Sequence, residues 1–111
     1  MYTRSMKVFR GTCTPNQMNW EVTVDGVRLD PHYGLRNHSP DGFSWGYSGS
    51  GPAQLALAIL VECVGELLAQ AYYQQFKATY VAKLDMGKGF LLTSDEVFVI
   101  LRNLGYENLI G

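Results

Sequence analysis

Ser48 and Ser50 flank Gly49 and are followed by Gly51-Pro52 and by a run, Ala53 to Leu60, that is apolar except for Gln54. Hydroxyls at the head of a helix sit beside backbone N–H groups that have no intrahelical partner and beside the positive end of the helix dipole, a place where a phosphate or carboxylate can rest. Just upstream, Trp45 and Tyr47 offer ring faces on which a base could stack. Arg36 could pair bidentately with a phosphate, and His38 could add a proton-dependent donor. The candidate ligand site is therefore Arg36, His38, Trp45, Tyr47, Ser48, Gly49, Ser50, Gly51 and Gln54. The competing interpretation is structural: the glycines let the loop pack on the helix and the serines cap it.

Catalytic chemistry is harder to assemble. A P-loop needs a lysine after its last glycine, and Gly51 is followed by Pro52; a dinucleotide fold needs a parallel βαβ unit. Ser48 or Ser50 with His38 could form a cryptic hydrolase, but Tyr47-Ser48-Gly49 lacks the strand-turn-helix context of a nucleophile elbow. Glu62 and Glu66 fall at i, i+4 without a third acid, as on a solvated helix edge. His32 and His38 stand six apart in a loop, and Cys13 and Cys63 have no ligand spacing, so neither a metal nor a cofactor is expected. The cysteines are expected to be free, Cys63 as a buried apolar residue.

The bulk properties bound the partners. The 111 residues give room for one domain, 1–111, with 47% hydrophobic and 17% charged residues and a formal charge of -1 from nine basic and ten acidic side chains. With no basic block, nucleic acid is a disfavoured partner. The N-terminal Met1 to Lys7 is polar, and the apolar run Ala53 to Val61 is too short to span a bilayer. A cytoplasmic protein without membrane contact is expected.

The elements that must position these residues follow from local patterns. Lys7 to Arg10 predicts a short strand ended by Gly11. Trp20 to Val24 alternates, and Asp25-Gly26 before Val27-Arg28-Leu29 predicts a hairpin whose apolar face carries Trp20, Val22, Val24, Val27 and Leu29. Asp30 to Gly51 is a long loop, with at most a short strand near Phe43 to Trp45. A buried helix starts with Gly51 near its cap and Pro52 at its first position, and Gly65 breaks or kinks it. Leu68, Tyr72, Phe76, Tyr80 and Leu84 then mark an amphipathic helix, with Tyr73 off the stripe and exposed, so that the Tyr72–Tyr80 helix is the expected homodimer surface. Thr93-x-x-Glu96 is a capping box opening a last helix, Ser94 to Leu104. Strands first and helices after predict an α+β fold: a small antiparallel sheet, the N-terminal hairpin, packed on two or three helices.

The stretch Leu35 to Leu60, with its Gly42-Phe43-x-Trp45-Gly46-Tyr47-x-Gly49-Ser50-Gly51-Pro52 core, closely resembles an uncharacterised family of small bacterial, archaeal and phage proteins, a domain of unknown function. The likeness extends through Val22 to Gly26, Tyr73 to Lys77 and Thr93 to Leu101. It implies no activity and no catalytic residue. The phage and mobile-element setting of its members implies a counter-defence or host-interaction role. Joined to the residues above, the expectation is a non-enzymatic inhibitor that binds an anionic, nucleotide-like signal at the Gly/Ser turn. A protein-interaction inhibitor acting on a host complex is the alternative, and a cryptic hydrolase the second.

Overall fold

Asp25 and Gly26 take φ values of 52° and 83°, the tight turn whose twist matches antiparallel strands. It joins β2 (Asn19–Val24) to β3 (Val27–Arg28), as the sequence predicts. The computed structural model describes residues 6–14, 19–39 and 42–105. Within them, β1 (Val8–Thr14) and β4 (Phe90–Thr93) complete a four-stranded antiparallel sheet in the order β3-β2-β1-β4. Helix α1 (Ser50–Thr79), a 3-10 turn at Val81–Lys83 and helix α2 (Ser94–Asn103) account for the rest of the regular structure among the described residues. This is the α+β fold expected.

Two strands differ from expectation for one reason. β1 does not stop at Gly11, and Phe90–Thr93 is a strand instead of a lead-in to the last helix. Gly11 pairs with Val22 on one side and Phe90 on the other, and a Cβ on Gly11 would collide with the Phe90 ring. The glycine is a gap in the pleated surface that the neighbouring ring fills, not a terminator. The core face of the sheet thus reads Val24, Phe9 and Leu92 across one row and Val22, Gly11 and Phe90 across the next. Val27, expected on that face, is exposed, whereas Leu29 is buried. Phe43 to Trp45 forms no strand.

Residues 51–60 of α1 are all buried, and one apolar cluster joins Leu55, Leu57, Ile59 and Leu60 to Phe9, Val22 and Leu92 of the sheet and to Val97 and Leu101 of α2. Burial of such side chains stabilises the fold by about 1.5–3 kcal/mol each. By length and composition alone the stretch Ser50–Lys83 could cross a membrane, a longer apolar segment than the Ala53 to Val61 run suggests. Its first arm, residues 51–60, lies inside the molecule, in one apolar cluster with the sheet. Gly65, at φ 86° and ψ 173°, interrupts the helical geometry, the break expected there. The second arm then buries Ala69, Tyr73 and Phe76. Tyr73 is therefore internal, not the exposed residue that made this arm a dimer surface. The same cluster absorbs Phe76 and part of Tyr72 and Tyr80.

The capping box is present: Thr93 Oγ1 accepts from the Glu96 N–H, and Glu96 Oε1 accepts from the Thr93 N–H. The Lys7 N–H donates to Ser94 Oγ at 2.9 Å, and the Ser94 N–H donates to the Lys7 carbonyl at 2.9 Å. This reciprocal pair pins the start of α2 to the start of β1.

Candidate functional site

The Gly/Ser turn is built by close approaches. Helix α1 begins at Ser50 with Gly49 as its N-cap, so Pro52 lies in the first turn but two positions later than expected. No side chain caps this end; Ser48 and Ser50 are exposed, and neither hydroxyl caps the helix or hydrogen-bonds to a described residue. The Ala53 N–H donates to the Gly49 carbonyl at 3.1 Å, and Pro52 has no N–H. The donors expected near Ala53 and Gln54 are thus spent within the helix. Gly51 is buried against Ser44, where a Cβ would strike the Ser44 hydroxyl. Gly46, at φ 89°, faces the Met86 backbone at a distance no side chain allows.

Gln54 is fully buried and all four of its amide valences are used. Its Oε1 accepts from the N–H groups of His38 at 2.7 Å and Ser39 at 3.2 Å; its Nε2 donates to the carbonyls of Pro31 at 2.6 Å and Arg36 at 2.9 Å. Because two donors and two acceptors converge on it, the orientation of the amide is fixed by the loop itself. Gln54 is a clamp that orders residues 31–39, with nothing left over for a ligand.

The remaining expected site residues separate. Trp45 has no exposed surface; its indole N–H donates to the Lys88 carbonyl at 2.7 Å, and its ring meets Trp20 and Phe90 edge-on at centroid distances of 4.7 and 4.9 Å. Tyr47 is exposed, with its hydroxyl 2.7 Å from Ser44 Oγ. His38 is half-buried and its Nε2 lies 2.7 Å from the Tyr73 hydroxyl, so its partner is a tyrosine and not Ser48 or Ser50. Arg36 is exposed, and its guanidinium pairs with no carboxylate among the described residues. His38, Trp45 and Tyr47 are thus each held by a different partner.

A second polar cluster joins side chains that lie far apart in the sequence. Glu62 accepts from Lys7 Nζ at 3.2 Å through one oxygen, and its other oxygen lies 3.5 Å from His32 Nε2; His32 Nδ1 stands 4.0 Å from Asp30. His32 has φ 59°, and its N–H donates to Asp30 Oδ1 at 2.9 Å, so Asp30 turns the chain there. Glu62 is thus an anchor between the N-terminal segment and the loop, not the solvated edge its spacing suggested. Beside it, burial pushes the Cys63 thiol from 9.0 up to about 12; Lys7 acts against that rise and Glu62 adds to it. Both cysteines are free.

A concave feature lies at the open edge of β2. The ladder between β2 and β3 ends where the Leu29 N–H donates to the Val22 carbonyl. Continuing that register would set Pro31 opposite Trp20, and a proline has no N–H to extend the ladder. The chain leaves the sheet, and a cleft of about 370 Å³ opens between β2 and the returning Gly42-Phe43 segment. Trp20, Val22, Leu29, Pro31 and Phe43 supply its apolar lining; Glu21 and Arg28 supply charge. Both charged side chains are exposed and neither forms an ion pair among the described residues. The one signal in the sequence was Pro31 eleven residues after Trp20, across a two-residue turn. Among the described residues no group of His, Cys, Asp and Glu could hold a metal ion.

The model of a family of unknown function, DUF6166, matches residues 9–103, and the chain belongs to that family. No curated protein and no solved structure matches it.

Proposed function

We propose that this is a binding protein without catalysis whose ligand is an anionic, nucleotide-like small molecule held in the cleft at the edge of β2. The observation that carries the proposal is the coincidence in one concavity of two aromatic rings, Trp20 and Phe43, with an arginine, Arg28, that forms no ion pair among the described residues. A volume of about 370 Å³ suits a mononucleotide-sized ligand. Rings can sandwich a planar base while the guanidinium takes the phosphate. The Gly/Ser turn becomes scaffold in this reading, because its donors and its buried side chains are already engaged. In the phage and mobile-element setting that the resemblance implies, the protein acts in the cytoplasm as a counter-defence inhibitor that sequesters a host signal.

Calorimetric titration with linear and cyclic nucleotides tests this. Binding that Arg28→Ala weakens by about tenfold or more, and that Ser48→Ala and Ser50→Ala leave unchanged, is the expected result. No heat from any nucleotide up to about 1 mM would reject it. A protein-interaction role draws on Leu67, which is 83% exposed two residues past the helix break; recovery of a stoichiometric host protein that Leu67→Glu abolishes would favour that alternative.

A further inference from the structure

We infer, resting on the cleft reading above, that the base is guanine and that Glu21 is the residue that selects it. Arg28 pairs across the sheet with Thr23, and Glu21 shares the Thr23 face of β2 two residues away. Glu21 and Arg28 are therefore diagonal neighbours, about 7–8 Å apart at the backbone, on the rim of one cleft. Opposite charges at that spacing commonly meet, yet these two do not, and neither finds another ion-pair partner among the described residues. A ligand that brings an anion to Arg28 and hydrogen-bond donors to Glu21 satisfies both at once.

A carboxylate only accepts hydrogen bonds. Guanine presents two parallel donors, N1–H and the N2 amine, which match the two oxygens of Glu21. Adenine presents one donor beside the N1 lone pair, which would face a carboxylate oxygen and repel it. In this arrangement the base stacks between Trp20 and Phe43 with its phosphate on Arg28, and its hydrogen-bonding edge crosses the open edge of β2 to meet Glu21, which lines the same cleft. Glu21 is exposed on the sheet's outer face, so substituting it disturbs no core contact.

The test is titration of the full chain with GMP, IMP and AMP, followed by intrinsic tryptophan fluorescence and calorimetry. GMP is expected to bind at least about tenfold tighter than AMP, with IMP between them because it lacks the N2 amine. Glu21→Ala should bring GMP to the AMP level and leave AMP unchanged. Glu21→Gln, whose amide can donate to the adenine N1, should move the preference toward AMP. Equal binding of GMP and AMP, or a GMP preference that survives Glu21→Ala, overturns the guanine assignment and leaves the cleft reading standing. Failure of every nucleotide to bind overturns both.

Discussion

Replacing Gln54 by leucine should destabilise the protein by about 3 kcal/mol. The four hydrogen bonds of the clamp measure 2.6 to 3.2 Å, and at about 1 kcal/mol net each they amount to about 4 kcal/mol. Leucine nearly keeps the volume, so no large cavity term is added. Residues 31, 38 and 39 are only half-buried and residue 36 is exposed, so water can reach some of the orphaned groups and lowers the cost to about 3 kcal/mol. Gln54→Glu separates the clamp's two halves. Its oxygens still accept from His38 and Ser39, but the second one now faces the carbonyls of Pro31 and Arg36. The introduced carboxyl is therefore held protonated more strongly in the folded chain than in the unfolded one. Its stability matches the wild type most closely below the ordinary glutamate value, about 4.3, and declines as pH rises through the raised folded value. Urea unfolding at pH 4 and pH 7 with amide exchange reads both effects. Exchange at His38 and Ser39 should rise in Gln54→Leu while residues 55–60 stay protected. A loss under about 1 kcal/mol, or unchanged exchange at those two amides, would refute the clamp.

The Cys63 thiol, raised from 9.0 to about 12, should carry about a thousandfold less thiolate than an ordinary cysteine at pH 8, so disulfide reagents should modify it only after unfolding; prompt modification of both thiols in the native protein would contradict this. The folded chain keeps that proton while the unfolded one loses it, so the associated stability is complete below pH 9.0 and is lost as pH rises toward 12; Cys63→Val should flatten that alkaline slope. Gly11→Ala should cost about 2 kcal/mol by displacing the Phe90 ring, and pairing it with Phe90→Leu in a double-mutant cycle should recover part of the loss; strict additivity would contradict the fit. Thr93→Ala should cost about 1 kcal/mol in urea denaturation by removing the α2 cap.

Local chemistry made several elements readable in advance. Asp25-Gly26, Thr93 with Glu96, and Gly65 each act through the backbone of their own neighbourhood, and each does in the structure what its residue type predicts. What could not be read depends on partners far along the chain. Gly11 looked like a breaker because the ring that fills its gap is Phe90. Phe90–Thr93 lacks alternation and runs straight into a helix, so only its pairing with β1 makes it a strand. Trp45 looked like a stacking platform because its burial is supplied by Trp20, Phe90 and the Lys88 carbonyl. Gln54 did leave a mark, as the lone polar residue inside an apolar run, but a single polar residue does not say whether it meets a ligand or a loop. The cleft left almost none, since its residues come from three separate stretches that meet only where the sheet runs out.

The reciprocal pair between Lys7 and Ser94, 87 residues apart, sets a schedule for biosynthesis. A chain made from its N-terminus first exposes β1 long before β4, its second neighbour in the sheet, has been translated. The seat of Trp45 at Lys88 is likewise absent until 43 further residues have been added. During that interval the apolar first arm of α1 has no finished sheet to cover it, and such unshielded segments are what chaperones hold and aggregates recruit. A ribosome stalled or a message cut before the codon for Phe90 would release a fragment that cannot close its core, because β1 would lack its second neighbour.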